Sequence, residues 1–117
     1  FRSIKRAQEV KSEVKRGVCD GVGEVQFTHL LTEQELPEKS RLYSVVTLKP
    51  GNSIGYHQHV GDGESYWILE GTAQVVEDGQ TYELQPGDVV MTYSGHSHSI
   101  QNIGEDDLKF VASIILD

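Results

Sequence analysis

Four of the five histidines in this chain fall into two His-x-His pairs, His57/His59 and His96/His98. Residues i and i+2 of a β-strand project from the same face, so each pair can direct two imidazoles at one ion without distorting the backbone. After the first pair, the segment 60–63 turns the chain back to Glu64, whose carboxylate can reach the same ion from a neighbouring strand. A histidine of the second pair would complete the set, and spacing alone leaves both of its members as candidates.

Imidazole and carboxylate ligands together favour Mn, Fe, Ni, Co, Cu or Zn over Ca or Mg. We therefore expect the chain to hold one divalent transition-metal ion. Isolated histidines more often have a structural role, and we expect that role for His29, which stands alone in its segment.

The composition excludes several other classes of function. The chain has 117 residues and a net charge of −8, which fits a single acidic domain. Six of its ten basic residues lie within the first 16 positions, and the remainder is so acidic that it would repel phosphate backbones, so we expect no nucleic-acid partner. No apolar run approaches the roughly 18 residues of a membrane span. The single cysteine, Cys19, excludes an intramolecular disulfide and favours the reducing cytoplasm, where it would be an ordinary free thiol.

The segments that must position these side chains are short and rich in β-branched and aromatic residues, which predicts strands. Asp78-Gly79 is a two-residue hairpin signal, and Pro50-Gly51 and Pro86-Gly87 are turn dipeptides. This pattern favours an all-β sandwich or barrel. The predicted strands are Val25–Leu31, Leu42–Leu48, Glu64–Glu70, Thr72–Glu77, Thr81–Leu84, Val89–Tyr93, Ser97–Asn102 and Leu108–Leu116.

We expect residues 1–23 to form an N-terminal arm, either extended or with one short helix, and residues 24–117 to form the β-barrel domain. Two predicted strands, at 64–70 and 108–116, carry apolar residues on both faces. A strand that faces water on one side should alternate apolar with polar residues. A second layer is therefore needed, and we expect a homodimer to supply it.

The spacing of the glycines, histidines and Glu64 resembles two sequence motifs of the cupin superfamily, and specifically of its small single-domain members. The first cupin motif is Gly, five residues, His-x-His, three or four residues, Glu, six residues and Gly. This spacing is met by Gly51, His57, His59, Glu64 and Gly71.

The second cupin motif is Gly, five residues, Pro-x-Gly, two residues, His, three residues and Asn. It is matched by Gly87, Gly95, His98 and Asn102, with Tyr93 in place of the usual proline. That departure affects a local turn and no metal-binding position. The two motifs together cover residues 51–71 and 87–102.

The resemblance implies a double-stranded β-helix, or jelly-roll barrel, and it selects His98 rather than His96 as the remaining ligand. The implied metal ligands are His57, His59, Glu64 and His98. Such a site leaves about two positions open on a six-coordinate ion. A small anionic ligand, such as a carboxylate, would bind there.

Two classes of function remain. The motifs resemble one half of an oxalate decarboxylase, which implies a metal-dependent enzyme that decarboxylates, oxygenates or isomerises a small oxygenated acid. The alternative is a non-catalytic metal-dependent binding or sensor module, because no general acid or base is evident beyond the ligands.

Several further residues are candidates for the neighbourhood of the ion. Asp62 is interpreted as a turn residue rather than an acid beside the ligands. Arg41 is interpreted as an exposed arginine at a strand entrance, with carboxylate binding as the alternative. His96 is an exposed histidine or a residue that contacts the substrate. The candidates for interior wall residues are Tyr43, Tyr56, Tyr66, Trp67, Met91 and Tyr93.

Overall fold

The structure, a computed structural model, describes residues 3–117; Phe1 and Arg2, at the start of the predicted arm, lie outside the described residues. The described part of the chain contains two short 3-10 turns, Ala7–Glu9 and Val18–Asp20, and ten strands. The strands are β1 (Lys11–Arg16), β2 (Glu24–His29), β3 (Ser40–Leu48), β4 (Ser53–Gln58), β5 (Asp62–Glu70), β6 (Ala73–Glu77), β7 (Gln80–Leu84), β8 (Val89–Thr92), β9 (Ser97–Asn102) and β10 (Leu108–Leu116). Between residues 3 and 117, no helix has the length and apolar character needed to cross a membrane.

The strands form two antiparallel sheets. One has six strands in the order β1-β2-β3-β10-β5-β8, and the other has four in the order β4-β9-β6-β7. Strands distant in sequence, such as β3 and β10, are neighbours within a sheet. The all-β prediction is therefore confirmed.

The hydrophobic core lies between the two sheets. The six-stranded sheet contributes residues from β2, β3, β5 and β10, and the four-stranded sheet contributes residues from β4, β6 and β9. The buried apolar residues are Val25, Phe27, Val46, Leu48, Ile54, Tyr66, Ile68, Ala73, Val75, Ile100, Leu108, Phe110 and Ala112. Since these residues alternate along their strands, one face of each sheet is buried in the core.

The predicted hairpin between β6 and β7 forms at Asp78-Gly79. Both residues have positive φ, 47° and 80°, as a type I′ turn requires. The turn after β8 forms although Tyr93 replaces the usual proline. It is closed by a hydrogen bond from the amide of His96 to the carbonyl of Tyr93, at 3.1 Å.

The predicted arm is integrated into the fold. Of the two alternatives predicted for the arm, the extended one is observed over residues 11–16, where β1 pairs with β2 along its whole length. The segment after β1 then crosses the face of β4. A Cβ atom on Gly55 would lie 1.9 Å from the carbonyl oxygen of Cys19, so only glycine allows this close approach. This contact holds residues 18–22 against β4.

Candidate metal centre

The structure brings together the four residues that the sequence motifs selected. His57 lies in β4 and pairs across the sheet with His98 in β9. His59 follows the end of β4 directly, and Glu64 lies in β5 of the opposite sheet. The cluster is therefore enclosed between the two sheets, with His59, Glu64 and His98 buried and His57 partly buried.

The potential ligand atoms converge on one point. The Nε2 atom of His98 lies 3.1 Å from Nε2 of His57 and 3.0 Å from Nε2 of His59. The Glu64 Oε1 atom is 3.2 Å from Nε2 of His59, 3.1 Å from Nε2 of His98 and 4.0 Å from Nε2 of His57. Ligands about 2.1 Å from an ion lie about 3 Å apart when they occupy neighbouring positions. The spacing therefore fits one transition-metal ion.

The other ring nitrogen of each histidine has a hydrogen-bond acceptor. Nδ1–H of His57 donates to the carbonyl of Gly55 at 2.7 Å, and Nδ1–H of His59 donates to Asp62 Oδ1 at 2.8 Å. Nδ1–H of His98 donates to Thr92 Oγ1 at 2.8 Å, because the Thr92 hydroxyl itself donates to Glu77.

These partners select one tautomer for all three rings. With Nδ1 protonated, each neutral ring presents an unprotonated Nε2 to the centre, as metal-binding histidines do. Three lone pairs and a carboxylate then face one another at about hydrogen-bond distance in a buried site. A cation at their centre would remove this repulsion, so the donor set fits a metal ion.

Protons compete with a metal for the same atoms. The hydrogen bond to Glu64 raises the pKa of His59, against the opposing effect of burial, and the bond to Asp62 raises it further. Burial raises the pKa of Glu64, but in the metal-free site the attraction between this carboxylate and the imidazoles of His57, His59 and His98, when these are protonated, outweighs burial and holds the pKa of Glu64 well below its usual value. The carboxylate is therefore ionised at neutral pH and available as a ligand.

A cavity of about 540 Å³ opens from the cluster to the surface. Its wall near the cluster includes Tyr66, whose ring stacks on His98 at 4.9 Å between centroids. Burial raises the pKa of Tyr66 far above its ordinary value, so the phenol is neutral.

Most of the aromatic residues proposed as cavity walls lie elsewhere. Of the six candidates, Tyr66 is buried and lines the cavity, whereas the other five are exposed. The prediction was wrong for those five because the sequence does not establish which face of each strand turns inward. The five are Tyr43, Tyr56, Trp67, Met91 and Tyr93.

The interpretation of Asp62 as a turn residue was wrong. Asp62 opens β5, is 3% exposed, and accepts a hydrogen bond from His59 through one oxygen. Its other oxygen accepts from Nη1 of Arg41 at 2.7 Å. Arg41 lies near the start of β3 with its side chain 60% exposed, as expected for a strand entrance. The connection from Arg41 through Asp62 to His59 fixes the orientation of that ring.

The remaining histidines lie outside the cluster. His96 is exposed and pairs with Asp78 at the tip of the β6–β7 hairpin. His29 bonds to Ser44 at 2.7 Å and to Glu13 at 2.6 Å, which ties β1 and β2 to β3. The Ser44 hydroxyl in this chain of hydrogen bonds belongs to a fully buried residue, so the arrangement is structural, as predicted for His29.

A protein-family model and related sequences match most of this chain. A family model described as "Cupin domain" matches residues 44–114. An oxalate-binding protein of Thermotoga maritima is 41% identical over 113 residues, which is 97% of this chain and 93% of that protein. A polyketide synthase, CurC, of Streptomyces cyaneus is 26% identical over 89% of this chain and 63% of its own length.

Solved structures show the same architecture. The crystal structure of a predicted oxalate decarboxylase from Thermotoga maritima superposes with a TM-score of 0.91 at 40% identity, covering 97% of this chain and 99% of the other. The cupin domain of Schizosaccharomyces pombe Cnp3 matches with a TM-score of 0.73 at 18% identity, covering 90% and 69%, and shows the fold alone. The predicted jelly-roll barrel is thus confirmed.

Proposed function

Because this chain belongs to the cupin family, we propose that it holds one divalent transition-metal ion and uses it to bind and transform a small carboxylate. The ligands of the ion are His57, His59, Glu64 and His98. The observation that carries the proposal is the convergence of three histidine Nε2 atoms and one carboxylate in a buried site beneath an open cavity.

A bound ion supplies Lewis acidity, which polarises an oxygen of the substrate. The protein residues supply the surroundings. Phe27, Ile54 and Tyr66 line the cavity beside the ligands, so a substrate seated against them displaces water from the reacting end. Exclusion of water strengthens the attraction between a carboxylate and a cationic centre. The printed name of the Thermotoga relative, an oxalate-binding protein, supports a small anionic ligand.

A second candidate is a non-catalytic module that binds the metal and the carboxylate without turnover. One observation favours it: among the described residues that line the cavity, the carboxylates are already engaged. Glu64 faces the three imidazoles, and Asp62 accepts from His59 and Arg41. A proton donor for catalysis would therefore have to be a group other than these two carboxylates.

Reconstitution with Co²⁺ distinguishes these outcomes. The untagged protein is loaded with Co²⁺ and titrated with oxalate and other small carboxylates while its visible spectrum is recorded. We expect carboxylates to change the spectrum of the wild type and of His96→Ala, whose imidazole is exposed and outside the cluster, but not of His98→Ala. A spectrum that no carboxylate changes would contradict the proposal. Product formation in the same samples, reconstituted in turn with Mn²⁺ and Fe²⁺, favours the enzyme, and binding without product favours the module.

We also propose that the protein is a homodimer joined through the outer face of its six-stranded sheet. On that face, Val45, Val111, Trp67 and Val89 lie in register across four adjacent strands. Trp67 is 50% exposed and Val89 is 65% exposed. Contiguous apolar surface of this kind is typical of protein–protein contacts.

A further inference from the structure

We propose that Lys15 and Arg41 form a second anion-binding point at the mouth of the cavity, so that the ligand is a dianion held at both ends. This inference rests on the proposed metal site, which would bind one carboxylate. The other carboxylate would bind the ammonium and guanidinium groups. The ligand class is therefore a small dicarboxylic acid.

The first observation is position. Lys15 in β1 and Arg41 in β3 line the same cavity as His57, His59 and Glu64. Both also line a neighbouring surface cavity of about 590 Å³, so they stand on the ridge between the two. Lys15 belongs to the N-terminal arm, and its presence here gives the docking of β1 a role in ligand binding.

The second observation is that both cations retain donors for a ligand. Arg41 uses Nη1 to bond Asp62, and a guanidinium carries five N–H donors. Lys15 Nζ lies 4.0 Å from Glu13 Oε1 and 5.7 Å from the centroid of the Phe27 ring, so it makes no close ion pair among the described residues. Both side chains are more than half exposed and can move toward a bound anion.

The third observation is charge. Among the described residues that line the cavity, the charges of Lys15 and Arg41 balance those of Asp62 and Glu64. Loss of hydration, together with the nearby charge of Glu64, raises the pKa of the Cys19 thiol, which stays neutral. A divalent ion therefore adds two uncompensated positive charges. A dicarboxylate neutralises both, whereas a monocarboxylate leaves one unpaired.

Apart from the cluster and the charged side chains, the cavity wall is mainly apolar. It includes Val18, Phe27, Leu42, Ile54 and Ile114, which offer a ligand no side-chain hydrogen bond. A hydrocarbon spacer between the carboxylates suits this wall. The volume of about 540 Å³ leaves room for acids longer than oxalate.

The test is calorimetric titration of the Mn²⁺-loaded protein with oxalate, malonate and succinate, with acetate as the monocarboxylate. The variants are Arg41→Gln, Lys15→Gln and the double variant. Arg16→Gln is the matched control, because Arg16 is the next residue of β1 and pairs with Glu24 outside the cavity. The metal content of every sample is measured first, since Arg41 also supports Asp62.

With the ion retained, we expect the double variant to bind the preferred dicarboxylate at least about tenfold more weakly. Its affinity for acetate should change less than about twofold, and Arg16→Gln should match the wild type. A further variant, Arg41→Lys, keeps the positive charge and should bind the dicarboxylate more tightly than Arg41→Gln. Equal losses for acetate and dicarboxylates, or no loss for either, would overturn the inference while leaving the metal site intact. Absence of metal from the wild type would overturn both, and it is recognised before any titration.

Discussion

At the scale of single residues, the site depends on hydrogen bonds made by Nδ1, the ring nitrogen of each histidine that faces away from the centre of the cluster. Each imidazole donates through Nδ1 to a fixed acceptor, and these acceptors come from three separate elements. The acceptor of His59 is a carboxylate, which makes the ring more basic and a better ligand than a carbonyl would. Asp62 is therefore the residue outside the ligand set on which the metal affinity should depend most.

We predict that Asp62→Asn weakens metal binding by about 10- to 100-fold. The amide carries no charge, releases Arg41 and gives His59 a weaker acceptor. The measurement is competition for Zn²⁺ or Co²⁺ against a chelator of known affinity.

The control for this prediction is Asp106→Asn, which removes the same charge at an exposed position beyond β9. Its metal affinity should equal that of the wild type. An Asp62→Asn protein that holds metal as tightly as the control would show that the link from Arg41 to His59 has no effect on the ion.

The exposed pair His96–Asp78 gives a prediction about pH. The hydrogen bond to Asp78 raises the pKa of His96 above 6.5, and the reciprocal bond lowers the pKa of Asp78 below 3.8. The contribution of His96 to stability is therefore complete below about pH 6.5 and is lost as the pH rises through the raised pKa. The contribution of Asp78 is present above about pH 3.8 and is lost as the pH falls through the lowered pKa.

In Asp78→Asn we expect the pKa of His96 to return toward 6.5. NMR titration of the His96 ring protons measures it directly. Asp88→Asn, at an exposed turn, should leave the His96 pKa at the wild-type value. An unchanged His96 pKa in Asp78→Asn would refute the assignment of the shift to this pair.

At this scale the sequence predicts the members of the cluster better than the residues that support them. His57, His59 and Glu64 lie close together along the chain, and motif spacing selects His98 over its neighbour His96. The partnership of Thr92 with Glu77 crosses from β8 to β6 and leaves no spacing signal. Asp62 resembled a turn residue because it stands between two glycines, and only the folded structure shows that it is buried and bonded to His59.

At the scale of elements, the mouth of the cavity depends on how closely the arm crosses β4. Gly55 and Gly21 both lack the space for a Cβ atom, because each would collide with backbone of the other segment. The amide of Ser53 also donates to the carbonyl of Val22 at 2.9 Å. The arm is therefore part of the wall of the site.

We predict that Gly55→Ala destabilises the protein by about 1–3 kcal/mol, because the added methyl forces β4 away from the arm. Gly104→Ala is the matched control, since the nearest atom to its Cβ would lie at an ordinary 3.5 Å. Urea unfolding measures both. Equal free energies of unfolding for the two variants would contradict the prediction, because they would show that the arm moves away from β4 without loss of stability.

The elements themselves were predictable in part. Strands rich in β-branched residues, such as β3 and β10, were located to within two residues. Strand β4 was absent from the predicted strands because Ser53–Gln58 carries few such residues, and its pairing with β9 is what orders it. Strand β1 is exposed along its length and polar except for Val14, so its sequence contains no clear signal of the pairing with β2.

At the scale of the whole molecule, the metal centre does not account for the aromatic and aliphatic residues exposed on the outer face of the six-stranded sheet. The sequence correctly indicated that β5 and β10 are apolar on both faces. It could not indicate that Trp67 and Tyr43 face outward, because strand register is determined by partners distant in the chain. A second copy of the chain would bury this outer face.

We predict that the protein sediments as a dimer at micromolar concentration and that Trp67→Ser shifts it to the monomer. Tyr82→Ser is the matched control, because Tyr82 is equally exposed, at 52%, but lies on β7 of the other sheet. A monomeric wild type would exclude the homodimer. Identical sedimentation of the two variants would place the interface elsewhere.

The central claim is that one metal ion lies among His57, His59, Glu64 and His98. The most direct test is elemental analysis of untagged protein, purified anaerobically at neutral pH, offered a mixture of Mn²⁺, Fe²⁺, Co²⁺, Ni²⁺, Cu²⁺ and Zn²⁺, and freed of unbound ions. We predict about one ion per chain in the wild type and in His96→Ala, and none in the variant in which His57, His59 and His98 are all replaced by alanine. A wild type without stoichiometric metal, or a triple variant that retains it, would contradict the account.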